Sequence, residues 1–206
     1  MTKIVCLSDT HNMTPRVPEG DLLLIAGDIT NMGRGDETQL RLSWLGELPH
    51  PRKILVPGNH DFFFEKYPDR ARELCEEQTI ELLIDEGTLA CGFHIWGSPW
   101  TPTFGGWAFG LDQMDRQERW ERIPLDTEIL VTHCPPAEIL DENQDGYHIG
   151  CYGLYNRLRE IRPDLHVFGH IHESQGVTKV AQLAPTIFVN ASTYEPLGKS
   201  PVVVHL

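Results

Sequence analysis

The chain has 206 residues, 40% hydrophobic and 23% charged, which is enough for a single domain, residues 1–206, with a substantial core. A formal net charge of −13 opposes non-specific association with a phosphate backbone and disfavours a long nucleic-acid duplex as substrate. No apolar run has the length of a membrane span, no signal peptide is expected, and Cys6, Cys75, Cys91, Cys134 and Cys151 lack paired spacing, so reduced thiols in a cytoplasmic protein are expected.

Residues 4–7 and 22–26 are short apolar runs that predict buried strands, separated by a turn-rich loop over residues 8–20 with Pro15, Pro18 and Gly20. Residues 38–48 place Leu42, Leu45 and Leu48 at helical spacing, with Asp36 or Thr38 as a loose cap. A third strand, 53–56, stops at Pro57-Gly58, and residues 69–78 read as a second helix. From Ile80 the period changes. Residues 80–84, 88–91 and 93–96 are short and β-rich, as in a meander joining a second sheet. Residues 97–110 read as a loop carrying Trp100, Phe104, Trp107 and Phe109, followed by a polar helix over 112–122. Residues 128–131 return to strand, and Pro135-Pro136 forces extended backbone. Residues 151–161 are amphipathic through Leu154, Leu158 and Ile161, and strands at 165–168, 186–189 and 202–205 finish the chain. This order predicts an α/β protein of two sheets packed face to face with helices outside.

Five polar clusters follow the apolar runs: Asp9-Thr10-His11, Gly27-Asp28, Gly58-Asn59-His60-Asp61, Thr132-His133 and Gly169-His170-Ile171-His172. Each alone has an ordinary reading as a turn, a helix cap or a surface histidine. Ligands in an open α/β sheet gather outside the carboxyl ends of strands. Five strands ending in nitrogen and oxygen donors therefore point to one site, and the number of donors points to two metal ions. Asp9 with His11, and His170 with His172, stand two apart, which in extended chain aims both side chains the same way. Asn59 offers a neutral carbonyl oxygen, and His60 is either a ligand or a proton donor. The remaining histidines, His50, His94, His148, His166 and His205, read as surface or packing residues, with His148 on a long loop that could reach the site. Cys6 and Cys134 read as small packing residues.

Taken in that order, D-x-H, G-D, G-N-H-D, H and G-H-x-H resemble the calcineurin-like metallophosphoesterase superfamily. Residues 26–31, 97–100, 166–173 and 189–192 are similar to its small metallophosphodiesterase-domain branch. Cys134 departs from the pattern, standing where Gly is expected before the prolines. The resemblance implies a four-layer α-β-β-α sandwich of two mixed sheets. It implies that Asp9, His11, Asp28 and His172 hold one divalent ion, and Asp28, Asn59, His133 and His170 a second, with Asp28 bridging. Mixed imidazole and carboxylate donors favour Mn²⁺ foremost, with Fe, Zn²⁺, Co²⁺ or Ni²⁺ as alternatives. The implied reaction is hydrolysis of a phosphodiester (a cyclic nucleotide, a 2′,3′-cyclic phosphate or another nucleotide-type diester). A metal-bridging hydroxide attacks in line, His60 acts as general acid and Asp61 orients its turn. The aromatic residues of 97–110 either stack a base or close the core. The alternatives are a phosphomonoesterase or nucleic-acid end-processing phosphatase, and a non-catalytic scaffold of the same fold. The expected partner is a small phosphodiester or nucleotide, or a nucleic-acid end, with neither a membrane nor an obligate protein partner.

Overall fold

The computed structural model describes residues 1–194 and 198–206. Four parallel strands form most of the first sheet: β1 (Lys3–Leu7), β2 (Leu22–Ile25), β3 (Arg52–Leu55) and β4 (Glu81–Leu82). The second sheet takes β5 (Glu86–Ala90), β6 (Phe93–Ser98), β9 (Ile129–Thr132), β10 (Leu165–Phe168), β11 (Gly176–Lys179) and β12 (Ile187–Asn190) in the order β11-β12-β10-β9-β6-β5. A last strand, β13 (Val202–His205), returns to pair antiparallel with β1 at the edge of the first sheet. Strands β7 (Thr101–Pro102) and β8 (Gly110–Leu111) form a small parallel pair apart from both sheets.

Alternation along each strand builds the layers. Ile4, Cys6, Leu22, Leu24 and Ile54 face Ile95, Ile129, Val131, Leu165 and Val167 between the sheets. Val5, Leu7, Leu23 and Ile25 point outward, beneath α1 (Gly35–Glu47) and α3 (Pro68–Glu77), which cover them with Leu42, Leu45, Ala71 and Leu74. On the opposite side, Leu130, Phe168 and Phe188 pack under α4 (Gln113–Glu121) and α5 (Tyr152–Ile161) through Trp120, Leu154, Leu158 and Ile161. The result is the α-β-β-α sandwich. Helix ends are set locally. Asp112 accepts the Met114 and Asp115 amides at 2.9 and 3.0 Å at the start of α4, and Glu37 accepts the Arg34 amide at 3.1 Å at the start of α1.

Three expectations change. Residues 80–84 do not open the second sheet, because Glu81–Leu82 hydrogen-bonds beside β3 in the first. The 97–110 loop contains β7 and the start of β8. A short helix, α2 (Phe62–Lys66), with Asp61 as its N-cap, follows the third polar cluster, where no helix is predicted. Every strand that precedes a polar cluster forms within a residue of its expected span. No helix among the described residues is long and apolar enough to cross a membrane.

Candidate metal centre

The five polar clusters converge at the carboxyl ends of β1, β2, β3, β9 and β10, so both sheets contribute. The backbone does not arrive there extended, as the two-apart spacing implied. Asp9, His11, Asp28 and His170 have φ of 55°, 43°, 54° and 71°. Non-glycine residues rarely occupy this region, Asp, Asn and His being the usual exceptions, and such strain collects at functional sites. Asp9 and His11 reach one place because the chain curls back onto the end of β2. Their amides donate to the Gly27 and Asp28 carbonyls at 2.9 and 3.0 Å. His172 opens a turn of 3₁₀ helix instead of continuing a strand. Two glycines make the approach close enough. A Cβ on Gly58 would lie 2.3 Å from an Asp28 carboxylate oxygen, and one on Gly169 would lie 2.3 Å from Asp9 Oδ2.

Three sets of donors lie with their atoms within 4.8 Å of one another: Asp9, His11 and His172; His11, Asp28 and His60; and Asp28, His133 and His170. His11 and Asp28 each belong to two sets. His172 Nε2 is 3.4 Å from Asp9 Oδ1, and His133 Nε2 is 3.3 Å from Asp28 Oδ2. Asn59 Oδ1 stands 2.9 Å from His133 Nε2, beside the third set.

The donor chemistry calls for cations. His133 Nδ1–H donates to the Ala26 carbonyl at 2.7 Å, which turns Nε2 toward two oxygens, Asn59 Oδ1 and Asp28 Oδ2. A neutral ring would direct a lone pair at both of them. Burial alone would lower the His133 pKa, yet the Asp28 carboxylate overrides it and raises it to about 9. The pocket thus demands positive charge at Nε2. Likewise, the Nε2 atoms of His11 and His172 face each other at 3.2 Å. Burial lowers the His11 pKa, and it lowers that of His170, also repelled by His133, to about 4, so both rings are neutral donors. Although burial opposes ionisation, His133 holds Asp28 well below the usual carboxylate range and His172 lowers Asp9. Two carboxylates, an amide oxygen and imidazole nitrogens facing one another form a set that fits divalent metal.

His60 and Asp61 separate in role. The His60 amide donates to Asp28 Oδ1 at 2.8 Å, and its Nδ1–H donates to the Asn31 carbonyl at 2.6 Å, leaving Nε2 directed inward, 4.0 Å from Asp28 Oδ2. Asp61 is fully buried and accepts from the Gly58 amide at 2.8 Å and from the Thr30 amide and hydroxyl at 3.0 and 2.7 Å. Burial, then Asp28, raises its pKa to about 6. It anchors the turn and touches none of the donor atoms in the three sets.

The aromatic loop divides. Trp107 lies over the His60 ring at 4.0 Å and Phe104 lies 5.6 Å from His170, while Phe109 is in the core and Trp100 donates to Asp85 at 2.8 Å. Two residues border the site and two close the fold. Tyr194, absent from the sequence reading, stacks on His172 at 4.4 Å, and its only signal was its place just after residues 189–192. His148 does not reach the cluster. It pairs with Asp141 at 2.6 Å on its own loop. The backbone at Cys134 stays outside the left-handed region, so the expected glycine is not needed there.

A family model described as calcineurin-like phosphoesterase matches residues 2–174. Metallophosphoesterase domain-containing protein 1 of Homo sapiens is 36% identical, over 100% of this chain and 71% of that protein. A UPF0046 protein of Caenorhabditis elegans is 33% identical, over 95% of this chain and 79% of its own. Among solved structures, phosphopantetheinyl hydrolase from Mycobacterium tuberculosis aligns with a TM-score of 0.65, over 98% of this chain and 95% of that one, at 15% identity, a likeness of fold.

Proposed function

This chain belongs to the calcineurin-like phosphoesterases, metal-dependent hydrolases of phosphate esters, and from that premise we propose that it is a dinuclear phosphodiesterase. The observation that carries the dinuclear reading is the pair of neighbouring donor sets, Asp9 with His11 and His172 and Asp28 with His133 and His170, with Asp28 Oδ2 3.9 Å from His11 Nε2 between them. Asp9, His11, Asp28 and His172 would hold one ion and Asp28, Asn59, His133 and His170 the other, with Mn²⁺ the foremost candidate. Divalent ions so held supply Lewis-acid polarisation of the phosphoryl oxygens and ease deprotonation of the attacking water.

The side chains do the rest. Ala26 fixes the His133 tautomer, Asn31 fixes that of His60, and Asp61 ties down the turn that carries Asn59 and His60. His60 Nε2 delivers a proton to the leaving oxygen. Trp107, over the His60 ring, limits its rotation and gives an aromatic leaving group or base a face to rest on.

Charge favours a diester. The ion pairs of Asp9 and Asp28 are all with histidines, and Arg34, one of the arginines near the loops, stands at the start of α1. A monoester dianion gains from cationic side chains on its terminal oxygens, whereas a diester carries one negative charge. The test pairs elemental analysis of Mn²⁺-loaded protein with kcat/KM on a bis-aryl phosphate, a 2′,3′-cyclic nucleotide and an aryl monoester. Two ions per chain and diester turnover at least equal to monoester turnover are expected. Full activity at one ion per chain rejects the dinuclear mechanism, and a large monoester preference turns the reading to a phosphatase.

A further inference from the structure

Behind the metal centre lies a second reactive cluster. Cys134, one residue beyond His133, is fully buried, and Cys151, 5% exposed, lines a cavity of about 740 Å³ between α4 and α5. The cavity opens to solvent past Met114 and Tyr152, both exposed. Backbone pairing holds the two cysteines together. The Cys151 amide donates to the Pro135 carbonyl at 2.9 Å, the Ala137 amide donates to the Cys151 carbonyl at 3.2 Å, and Pro136 pairs with Cys151 as an isolated bridge. The two side chains share one buried cluster.

The surroundings of Cys151 favour a thiolate. It is the N-cap of α5, a ten-residue helix whose positive N-terminal end favours an anion there. Trp120, fully buried with an Nε1 that has no hydrogen-bond partner, and Arg116 line the same cavity as Cys151. The neighbouring Cys134 thiol foremost, with these groups behind it, holds the Cys151 thiol well below the usual thiol range. Cys6 and Cys75 contrast with it, because burial pushes their thiols up.

We propose that Cys151 is a site of oxidative modification that takes a hydroperoxide through the α4–α5 cavity, and that Cys134 resolves it as an intramolecular disulfide. The Cys151 sulfur attacks the distal peroxide oxygen; an S–O bond forms, the O–O bond breaks, and the alcohol, or water from hydrogen peroxide, leaves with a proton. The sulfur is now a sulfenic acid, two electrons oxidised, and the peroxide is reduced by two. The Cys134 sulfur then attacks the sulfenic sulfur. The S–S bond forms, the S–O bond breaks, and the departing oxygen leaves as water with the Cys134 proton. Two thiols and one peroxide give one disulfide, one alcohol and one water.

The experiment treats the reduced protein with hydrogen peroxide and maps its peptides by mass spectrometry without reduction, using exposed Cys91 as an internal reference. A Cys134–Cys151 cross-link lighter by two hydrogens is expected, forming on the order of tenfold faster than Cys91 oxidises. In Cys134→Ser, Cys151 should accumulate sulfenic acid that dimedone traps, while Cys151→Ser should give neither product. The wild-type arm stands alone if a variant fails to fold. Oxidation of Cys91 with the Cys134–Cys151 pair left reduced overturns the proposal, as does dimedone labelling of Cys134 in place of Cys151.

Discussion

Replacing His60 with alanine separates the acid it is proposed to be from the ligand its position also allows, since it lies with His11 and Asp28 in one donor set. The backbone amide of residue 60 still donates to Asp28 Oδ1 after the change, so support for that carboxylate survives. What is lost is the ring, with its Asn31 hydrogen bond at 2.6 Å and its contact with Trp107 at 4.0 Å. Together these are worth roughly 1–2 kcal/mol of folding stability, because the ring is partly exposed. The chemical loss should be larger. A general acid contributes about 10²–10⁴-fold, or roughly 3–5 kcal/mol of barrier, to expulsion of a poor leaving group. An activated aryl leaving group needs little protonation and should lose far less. Steady-state turnover of a 2′,3′-cyclic nucleotide, which must expel a sugar alkoxide, and of a bis-aryl phosphodiester, beside metal content, reads the difference. Equal losses on both substrates, or the loss of a metal equivalent, would refute the acid role and make His60 a ligand or a positioning residue.

Asp61→Ala should cost roughly 2–6 kcal/mol, because the Gly58 and Thr30 amides and the Thr30 hydroxyl lose a buried acceptor. Urea titration of metal-free protein checks it, and an unchanged midpoint means that water or the turn itself replaces the carboxylate. His166 makes the fold sensitive to acid. Thr132 Oγ1 gives its proton to the Cys134 carbonyl and accepts from His166 Nε2, while His166 Nδ1 is buried without a partner. Burial therefore lowers the His166 pKa from 6.5 to about 3. The unfolded state binds the extra proton, so stability is full above about pH 6.5 and falls as pH drops toward 3, by about 2 kcal/mol between pH 7 and pH 5 from this residue. His166→Gln should show a smaller fall between those two pH values, and an identical fall in both proteins would remove His166 as the cause.

Legibility in the sequence followed how local each signal was. The runs at residues 4–7 and 165–168 are buried on both faces, so continuous apolar character marked them and the polar residues just beyond. The side-chain route to the site was not legible. Spacing of two means a shared face only in extended chain, and the positive φ of Asp9, His11 and His170 arises from contacts between strand ends far apart in sequence. The helix Phe62–Lys66 is too short for a helical period to show, and Gly176–Lys179, an edge strand with no fully buried residue, carries little apolar signal. The return of Val202–His205 to the first sheet depends on topology, not on its own residues. Cys134 and Cys151 share no recognisable spacing, and only the bridge at Pro136 brings them together.

Donors that meet at the seam between the sheets lie far apart along the chain, 161 positions in the case of His11 and His172. During synthesis Asp9, His11 and Asp28 emerge first, yet their partners His170 and His172 follow β10, which lies between β9 and the later β12. The constellation therefore cannot close until most of the polypeptide has left the ribosome and the second sheet has assembled around that central strand. Contacts of such long sequence separation form slowly. A nascent chain would thus carry isolated carboxylates and imidazoles with weak, promiscuous metal affinity, and selective loading belongs to the last stage of folding.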